Sequence, residues 1–232
     1  MNYKNVVFLG TSHIAKQSLE EVKSHIEKEA PDLIALELDQ KRLQSLMGKQ
    51  QKKAGLRAIR IVGLKGFIFS LIGAWAEKKL GKIVGVAPGS EMKQAARIAK
   101  KRKIGLFLID QDIEITLQRL SGSVTWKEKL NFLADILRAA FTRKNELEFD
   151  LETVPDKEMI KKLTSKLKER YPNIYKTLIA ERNIVIAKNI KRLMEDNPAK
   201  KILVIIGAGH TDEVLKLLKS MEEPTIRFSF SA

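Results

Sequence analysis

Four short apolar runs dominate the hydrophobic pattern of the chain. They are VVFLG (6–10), LIALELD (33–39), IGLFLID (104–110) and KILVIIG (201–207). The second run is almost continuously apolar, which is typical of a strand that is covered on both faces, as in a parallel sheet. The tail IRFSF (226–230) alternates apolar and polar residues instead, which predicts a half-exposed edge strand.

Helical spacing of apolar residues marks the segments between these runs. Val22 and Ile26 lie on one face of a predicted helix, and Ser18 with Glu21 predicts a capping box at its start. A second helix is predicted over residues 90–102, and an amphipathic helix follows the last apolar run. Strands and helices that alternate in this way favour a parallel sheet with helices packed on it.

Residues 124–196 break the alternation, because they contain two to four predicted helices and no strand. We therefore predict an α/β fold, with a mainly parallel sheet core, flanking helices and an α-helical insertion. The expected boundaries within a single domain (1–232) are 1–123 and 197–232 for the α/β core and 124–196 for the helical subdomain.

Composition limits the class of protein. The 232 residues are 44% apolar, which is enough for a folded core, and they include no cysteine. Disulfides and thiolate metal sites are thereby excluded, and a reducing compartment such as the cytoplasm is expected. No signal peptide is expected. The longest uncharged apolar run (66–76) has 11 residues against the ~20 that a membrane span needs, so it is a buried helix or an interfacial segment, and burial is favoured.

The net charge of +15 is concentrated in one block of the chain. Between Lys41 and Lys103 there are 17 lysines and arginines and only two acids, Glu77 and Glu91. Such a block suits an anionic partner such as a membrane surface, or it is a set of solvated helix faces. Nucleic acid is the least favoured partner, since few aromatic residues interleave the block and no helix-turn-helix pattern is present.

Two of the three histidines occur in the same local pattern. A strand, a glycine and two residues precede His13 and again His210, and a predicted helix follows each. In an open parallel sheet, side chains beyond the carboxyl ends of the strands converge on one edge, where ligand sites form. If the first and last strands are neighbours, the two histidines face the same crevice. Either histidine alone would more often be structural.

Acidic residues follow the other two strands. Glu37 lies within an apolar run, where a buried carboxylate needs a metal, a cation or hydrogen bonds. Pairing with a nearby arginine such as Arg42 is the simplest explanation. Asp110 ends the third strand, and Asp112 nearby is expected to cap the next helix. Glu91 begins a helix, where an acid is favoured by the helix dipole.

Charged residues on predicted helices complete the set. These are Arg119 and the Glu181, Arg182, Asn183 trio. On composition alone they form an ordinary surface pattern. If their helix covers the crevice, a fixed guanidinium could bind a carboxylate, a phosphate or a developing oxyanion.

Two histidines and one carboxylate are the ligand set of many catalytic metal sites that keep an open position for water. Mixed nitrogen and oxygen ligands suit Zn²⁺ and also Mn²⁺, Fe²⁺ or Co²⁺. The sequence lacks HExxH, a P-loop, a Rossmann glycine pattern and a G-x-S-x-G elbow, which argues against the enzyme classes that carry those motifs.

Several motifs in order along the chain resemble the TraB/PrgY pheromone-shutdown family, which is related to the Tiki metalloproteases and, more distantly, to erythromycin esterases. The motifs are GTSHIA (10–15), ELDQKR (37–42), PGSEM (88–92), LIDQDIEITLQR (108–119), AERNIVIA (180–187) and VIIGAGH (204–210). The resemblance covers nearly the whole chain and implies an α/β core with helical additions. Many archaeal members continue into C-terminal transmembrane helices, and this chain shows no such segment.

In the Tiki branch, two histidines and a glutamate are the implicated metal and catalytic groups, which correspond here to His13, His210 and Glu37. Arg182 and Asn183 match the arginine and asparagine of an ERN motif, where many relatives have ERD. We predict catalytic roles for His13, His210, Glu37 and Arg182, with Arg182 orienting the substrate. The predicted substrate-binding residues are Glu91, Asp110, Arg119, Glu181 and Asn183.

The leading hypothesis is a metal-dependent hydrolase that uses Zn²⁺, Mn²⁺ or Co²⁺ to act on a peptide or another amide or ester. The alternative is a non-catalytic protein that binds or sequesters a peptide or small ligand, at an anionic membrane surface if the basic block docks there. The sequence leaves the oligomeric state open, with a homodimer among the options.

Overall fold

Five strands form one sheet in the computed structural model, which describes residues 1–11, 16–48, 89–141 and 157–222. The order across the sheet is β1-β2-β5-β3-β4. The strands are β1 (Asn2–Tyr3), β2 (Val6–Thr11), β3 (Leu33–Leu36), β4 (Gly105–Leu108) and β5 (Ile202–Gly207). β1 pairs with β2 in the antiparallel sense, and the other pairings are parallel. The predicted α/β class with a mainly parallel sheet is confirmed.

Helices connect the strands and cover the sheet. They are α1 (Lys16–Glu29), α2 (Gln40–Leu46), α3 (Ser90–Arg102), α4 (Ile113–Ser123), α5 (Trp126–Phe141), α6 (Lys157–Arg170), α7 (Pro172–Tyr175), α8 (Glu181–Asp196) and α9 (Ala208–Ser220). A π-helical turn (Lys176–Ala180) joins α7 to α8. The segment predicted to be helical is therefore helical in its described part, apart from short breaks at 124–125 and 171.

Each face of the sheet packs against its own pair of helices. On one face α1 and α3 bury Val22, Ile26, Met92 and the alanines of α3 against strand residues such as Leu203. On the other face α8 and α9 bury a larger apolar set. That set comprises Ile186, Ala187, Ile190, Leu193, Met194, Val214 and Leu218. The hydrophobic effect thus holds a three-layer arrangement in which α8, part of the predicted helical subdomain, covers the sheet directly.

One local expectation is corrected. α1 begins at Lys16, so Ser18 is a buried residue inside the helix and is not the start of a capping box with Glu21. Among the described strands β4 lies at the edge of the sheet, and Phe107 on it is 41% exposed. An apolar run in the sequence does not show whether its strand lies at the edge or in the centre of the sheet, because the hydrophobic pattern does not give the order of the strands.

The register of the sheet brings the two glycine–x–x–histidine segments together. β2 and β5 are adjacent and parallel, with Gly10 opposite Ile206 and Thr11 opposite Gly207. A methyl group on Gly10 would lie 2.9 Å from Thr211 Oγ1 and 3.3 Å from Ala208 Cα, so only glycine allows α9 to start this close to β2. The first and last apolar runs are therefore neighbouring strands. This is the condition under which the histidines that follow them would face the same crevice.

Several predictions fall outside the described residues. These are the position of His13, the apolar run 66–76, most of the basic block 41–103 and the tail strand 226–230. The helices predicted at 90–102 and after the last strand are present, and the latter begins at Ala208, directly after β5.

Candidate functional site

Glu37 is buried beside the carboxyl end of β3. Alternation along the strand places it on the same face as Leu33 and Ala35, the face covered by α8. Its backbone N–H donates to Ile205 O at 3.1 Å, so the residue continues the pairing with β5. The side chain is 2% exposed and its Oε2 accepts the Gly207 N–H at 2.6 Å. A carboxylate is thereby fixed at the point where β5 turns into α9.

Arg182 joins the two buried acids of this edge of the sheet. Its Nη2 donates to Glu37 Oε1 at 2.5 Å and to Asp110 Oδ2 at 2.7 Å, and its Nε donates to Asp110 Oδ1 at 3.1 Å. The bidentate contact with Asp110 fixes the plane of the guanidinium. Arg42 Nη1 also lies 3.2 Å from Asp110 Oδ2. Glu37 therefore pairs with an arginine, as the simplest explanation expects, but the partner is Arg182, and Arg42 pairs with Asp110 instead.

The π-helical turn helps to aim Arg182. Leu178 lies within this turn, and its carbonyl accepts a hydrogen bond from Arg182 Nη1 at 3.0 Å. Wider π turns release backbone carbonyls from the regular helical pattern and occur often at functional sites. The turn is anchored where Thr177 Oγ1 lies 3.1 Å from Ser123 Oγ of α4. Sequence inspection missed this feature, because one extra residue in a helix leaves no mark on the hydrophobic pattern.

His210 lies in the first turn of α9 and contacts α8. Its Nδ1 is 2.6 Å from Asn183 Oδ1, and its Nε2 is 3.4 Å from Glu37 Oε1. An amide oxygen can only accept, so this contact places the hydrogen of the imidazole on Nδ1. The lone pair of a neutral His210 is then on Nε2, facing the buried carboxylate of Glu37.

Two buried side-chain atoms in the described part of the chain have no hydrogen-bond partner, and one of them belongs to this cluster. Asn183 Nδ2 is unpaired although the residue is fully buried. The other atom is Asp39 Oδ2, whereas Asp39 Oδ1 caps α2 through the N–H groups of Lys41 and Arg42. Leaving a buried amide nitrogen unpaired costs about 1–3 kcal/mol. Asn183 therefore keeps its contact with His210 through Oδ1 although its Nδ2 has no partner.

Charge balance decides the state of the arginine. Burial disfavours the charged form of Arg182, but the hydrogen bonds and negative charges of Asp110 and Glu37 outweigh it and hold the pKa of Arg182 above its usual value. The guanidinium is therefore cationic at every physiological pH. Two acids and two arginines then give the cluster of Glu37, Asp110, Arg42 and Arg182 no net charge.

The remaining predicted site residues lie elsewhere. Arg119 and Glu181 form an ion pair of 3.1 Å, in which the side chain of Arg119 is 55% exposed. Glu91 is buried in the first turn of α3, on the opposite face of the sheet from α8. Asp112 caps α4 by accepting from Glu114 N, as predicted. Of the predicted set, the structure brings together Glu37, Asp110, Arg182, Asn183 and His210.

The donor atoms of His210 and Glu37 fit part of a metal site. Ligand bonds of about 2.0–2.2 Å at a tetrahedral angle separate two ligand atoms by about 3.4 Å, the distance between His210 Nε2 and Glu37 Oε1. The Nδ1–H contact with Asn183 is the outer contact that orients a metal-binding histidine. Within the described residues no group of three such side chains is arranged to hold a metal, and His13, the third predicted ligand, lies outside them.

Comparison with known proteins identifies the family. A model described as the TraB/PrgY/gumN family matches residues 2–227. The chain belongs to this family. It is 37% identical over 227 residues to an uncharacterized protein of Methanocaldococcus jannaschii, covering 96% of this chain and 55% of that protein. It is 22% and 21% identical over 241 residues to TraB domain-containing proteins of Mus musculus and Homo sapiens, covering 91% of this chain and 62% of each.

The chain therefore spans little more than half the length of these relatives. The family membership agrees with the resemblance found in the motifs, and the match extends over both glycine–x–x–histidine segments. Among the described residues, no helix is both long and apolar enough to cross a membrane.

Proposed function

We propose that this member of the TraB/PrgY/gumN family is a metal-dependent hydrolase that cleaves a peptide or another amide or ester. The observation that carries the proposal is the arrangement of His210, whose Nδ1–H is held by Asn183 while Nε2 faces Glu37 Oε1 at 3.4 Å. A histidine fixed in this tautomer beside a buried carboxylate is suited to bind a divalent cation. His13 follows Thr11 by two residues in the sequence, and we propose it as the third ligand.

Each described residue has a distinct task in this proposal. His210 Nε2 and Glu37 Oε1 would hold Zn²⁺, Mn²⁺ or Co²⁺, and a cation of this kind supplies an acidified water and polarises a carbonyl. Asn183 keeps the imidazole of His210 in one tautomer. Gly207 N–H holds Glu37 Oε2, while Oε1 accepts from Arg182 Nη2 and also lies 3.4 Å from His210 Nε2.

Arg182 acts on Glu37 and not on the substrate. Its Nε, Nη1 and Nη2 all donate to protein acceptors, so at most one N–H is free for a bound molecule. By fixing Glu37 from the side opposite to Gly207, it prevents the carboxylate from rotating away from His210. We therefore assign Arg182 to positioning. Glu91, Arg119 and Glu181 remain proposals as substrate contacts at a distance from this cluster.

A second function is supported by the charge balance of the site. Glu37 and Asp110 are neutralised by Arg182 and Arg42 without any added cation. A neutral, preorganised polar cluster at the edge of a sheet could bind a peptide or small ligand without cleaving it. In that case Nε2 of His210 would present a fixed acceptor to the ligand, and the remaining N–H of Arg182 would present a fixed donor. We further propose a reducing compartment such as the cytoplasm, in keeping with the absence of cysteine.

The proposed activity is tested by incubating the protein with a mixture of peptides, amides and esters, with and without Zn²⁺, Mn²⁺ or Co²⁺. Cleavage should require a metal and should fall at least about a hundredfold in Glu37→Gln and His210→Ala. His25→Ala is the matched control. It also removes a histidine, but His25 lies on α1 and its Nδ1 contacts the carbonyl of Glu21 within the same helix at 3.0 Å. Ligand binding without turnover, equal with and without metal, would support the binding protein and contradict the hydrolase.

A further inference from the structure

Two large apolar side chains in the first turns of α5 face solvent. Trp126 is 77% exposed and Leu130 is 63% exposed, and they are the two most exposed large apolar side chains in the described part of the chain. Residues four apart lie on the same face of a helix, so the two form one surface.

Polar contacts on the opposite side fix this orientation. Glu128 is 2% exposed and accepts hydrogen bonds from Thr125 N at 2.9 Å and Asn173 N at 2.7 Å. One turn further on, Asn131 Nδ2 donates to Arg170 O at 3.4 Å. Both carboxyl oxygens of Glu128 are thereby occupied, and α5 cannot rotate the two exposed apolar side chains inward without leaving that acid unpaired.

The second acid of α5 faces the same way as Glu128. Asp135 accepts from Arg170 Nε at 2.6 Å and from Tyr171 Oη at 2.5 Å. Its charge is therefore balanced by the end of α6. The two acids of α5 both point toward the protein, and neither contributes charge to the outer side of the helix.

Lysines flank the exposed apolar residues. Lys127 is exposed, and Lys129 Nζ lies 4.6 Å from the centre of the Trp126 ring. The outer side of α5 thus combines a tryptophan, a leucine and two cations. Tryptophan with aliphatic side chains and flanking lysines is the composition of helices that lie in the interface of an anionic bilayer.

We propose that the outer face of α5, formed by Trp126, Lys127, Lys129 and Leu130, docks this protein on an anionic membrane surface. Charge favours the membrane over a second copy of the chain. Two such faces placed against each other would bring lysines together without a matching acid, since Glu128 and Asp135 are held inward on each copy. This inference uses residues outside the proposed active site and does not depend on that function.

Vesicle binding tests the inference through Trp126 itself. Trp75→Phe makes Trp126 the single tryptophan of the chain. Vesicles of phosphatidylcholine with about 30% phosphatidylserine should shift its emission to shorter wavelength, and pure phosphatidylcholine should not. Binding should weaken steeply as salt is raised. Leu130→Ser should lower partitioning about tenfold or more, and Lys127→Gln roughly fivefold.

Ile115→Ser is the matched control, since Ile115 is another exposed aliphatic residue, on α4, at 43% exposure. It should bind vesicles as well as the unmodified chain does. The inference is overturned if anionic vesicles do not shift Trp126, or if Leu130→Ser binds unchanged, which would assign binding to another basic surface. It is also overturned if the chain dimerises without binding vesicles and Leu130→Ser abolishes the dimer.

Discussion

Arg182 and Asp110 are 72 residues apart in the sequence and are joined by two hydrogen bonds, Nε to Oδ1 at 3.1 Å and Nη2 to Oδ2 at 2.7 Å. The same Nη2 reaches Glu37, which follows β3. One side chain of α8 therefore ties together the ends of two neighbouring strands. The stability of the sheet edge and the geometry of the proposed site depend on the same contacts.

Arg182→Ala should lower the free energy of unfolding by about 3–5 kcal/mol, because it leaves the buried carboxylates of Glu37 and Asp110 without their shared cation. Arg182→Lys keeps the charge but not the planar fork and should lose an intermediate amount. Arg119→Ala is the control, and it should cost less than about 1 kcal/mol since its pair with Glu181 is exposed. Urea denaturation measures all three, and equal losses in Arg182→Ala and Arg119→Ala would contradict the described cluster.

The close approach of β2 to α9 predicts a coupling between Gly10 and Thr211. Gly10→Ala should lose about 1–3 kcal/mol of stability, because the new methyl group lies 2.9 Å from Thr211 Oγ1. Thr211→Ala removes that oxygen, so the double variant should be more stable than the sum of the single losses implies. A double-mutant cycle in urea gives the coupling energy. Simple additivity would show that the two segments are not in contact.

The fold could be predicted from the sequence further than the site. A buried strand such as 202–207 can be recognised in the sequence, because a strand that is buried on both faces needs continuous apolar residues. The hydrophobic pattern does not contain the order of the strands in the sheet. It therefore does not predict the edge position of β4 among the described strands or the exposure of Phe107.

The sequence also indicated which side chains to examine at the site, but not how they pair. Glu37, Arg182 and His210 all stood out because an acid, a cation or a histidine occurred at a strand end or in a motif. Which arginine pairs with which acid depends on tertiary distances, and the sequence does not contain them. Arg42 is close to Glu37 in the sequence but contacts Asp110, and Glu37 contacts Arg182. The roles of the Gly207 N–H and of the π-helical turn have no sequence signal, because they are backbone features.

Glu128 predicts an acid dependence of the helical segment. Burial disfavours its charged form, but the N–H groups of Thr125 and Asn173 outweigh burial and hold the pKa of Glu128 below its usual value. A lowered pKa in the folded state means that this stabilisation is complete above the pKa of the unfolded chain, about 4.3. It is lost as the pH falls through the lower pKa of the folded state.

Glu128→Gln should therefore lower the free energy of unfolding by about 1–3 kcal/mol at pH 7, and the difference from the unmodified chain should shrink toward pH 3. Urea denaturation at the two pH values measures it. Glu158→Gln is the control, since Glu158 is exposed in the first turn of α6. A loss that stays constant from pH 7 to pH 3 would mean that the charge of Glu128 contributes nothing.

Asn183 should set the metal affinity of the proposed site without binding the metal. Asn183→Ala removes the acceptor for His210 Nδ1–H, so the imidazole is no longer fixed with Nε2 toward Glu37. Loss of such an outer contact typically weakens metal binding about 10–100-fold. Calorimetric titration with Zn²⁺ or Mn²⁺ measures the change, and unaltered affinity would argue that Asn183 has no part in orienting the ligand.

Metal content is the most direct measure of the central claim, that His210 and Glu37 hold a catalytic cation together with His13. The purified chain, reconstituted with Zn²⁺, Mn²⁺ or Co²⁺ and freed of excess ion, should retain one metal per molecule. His13→Ala, Glu37→Gln and His210→Ala should each lose it, while His25→Ala should retain it. No bound metal in the unmodified chain, or full retention in His210→Ala, would contradict the account.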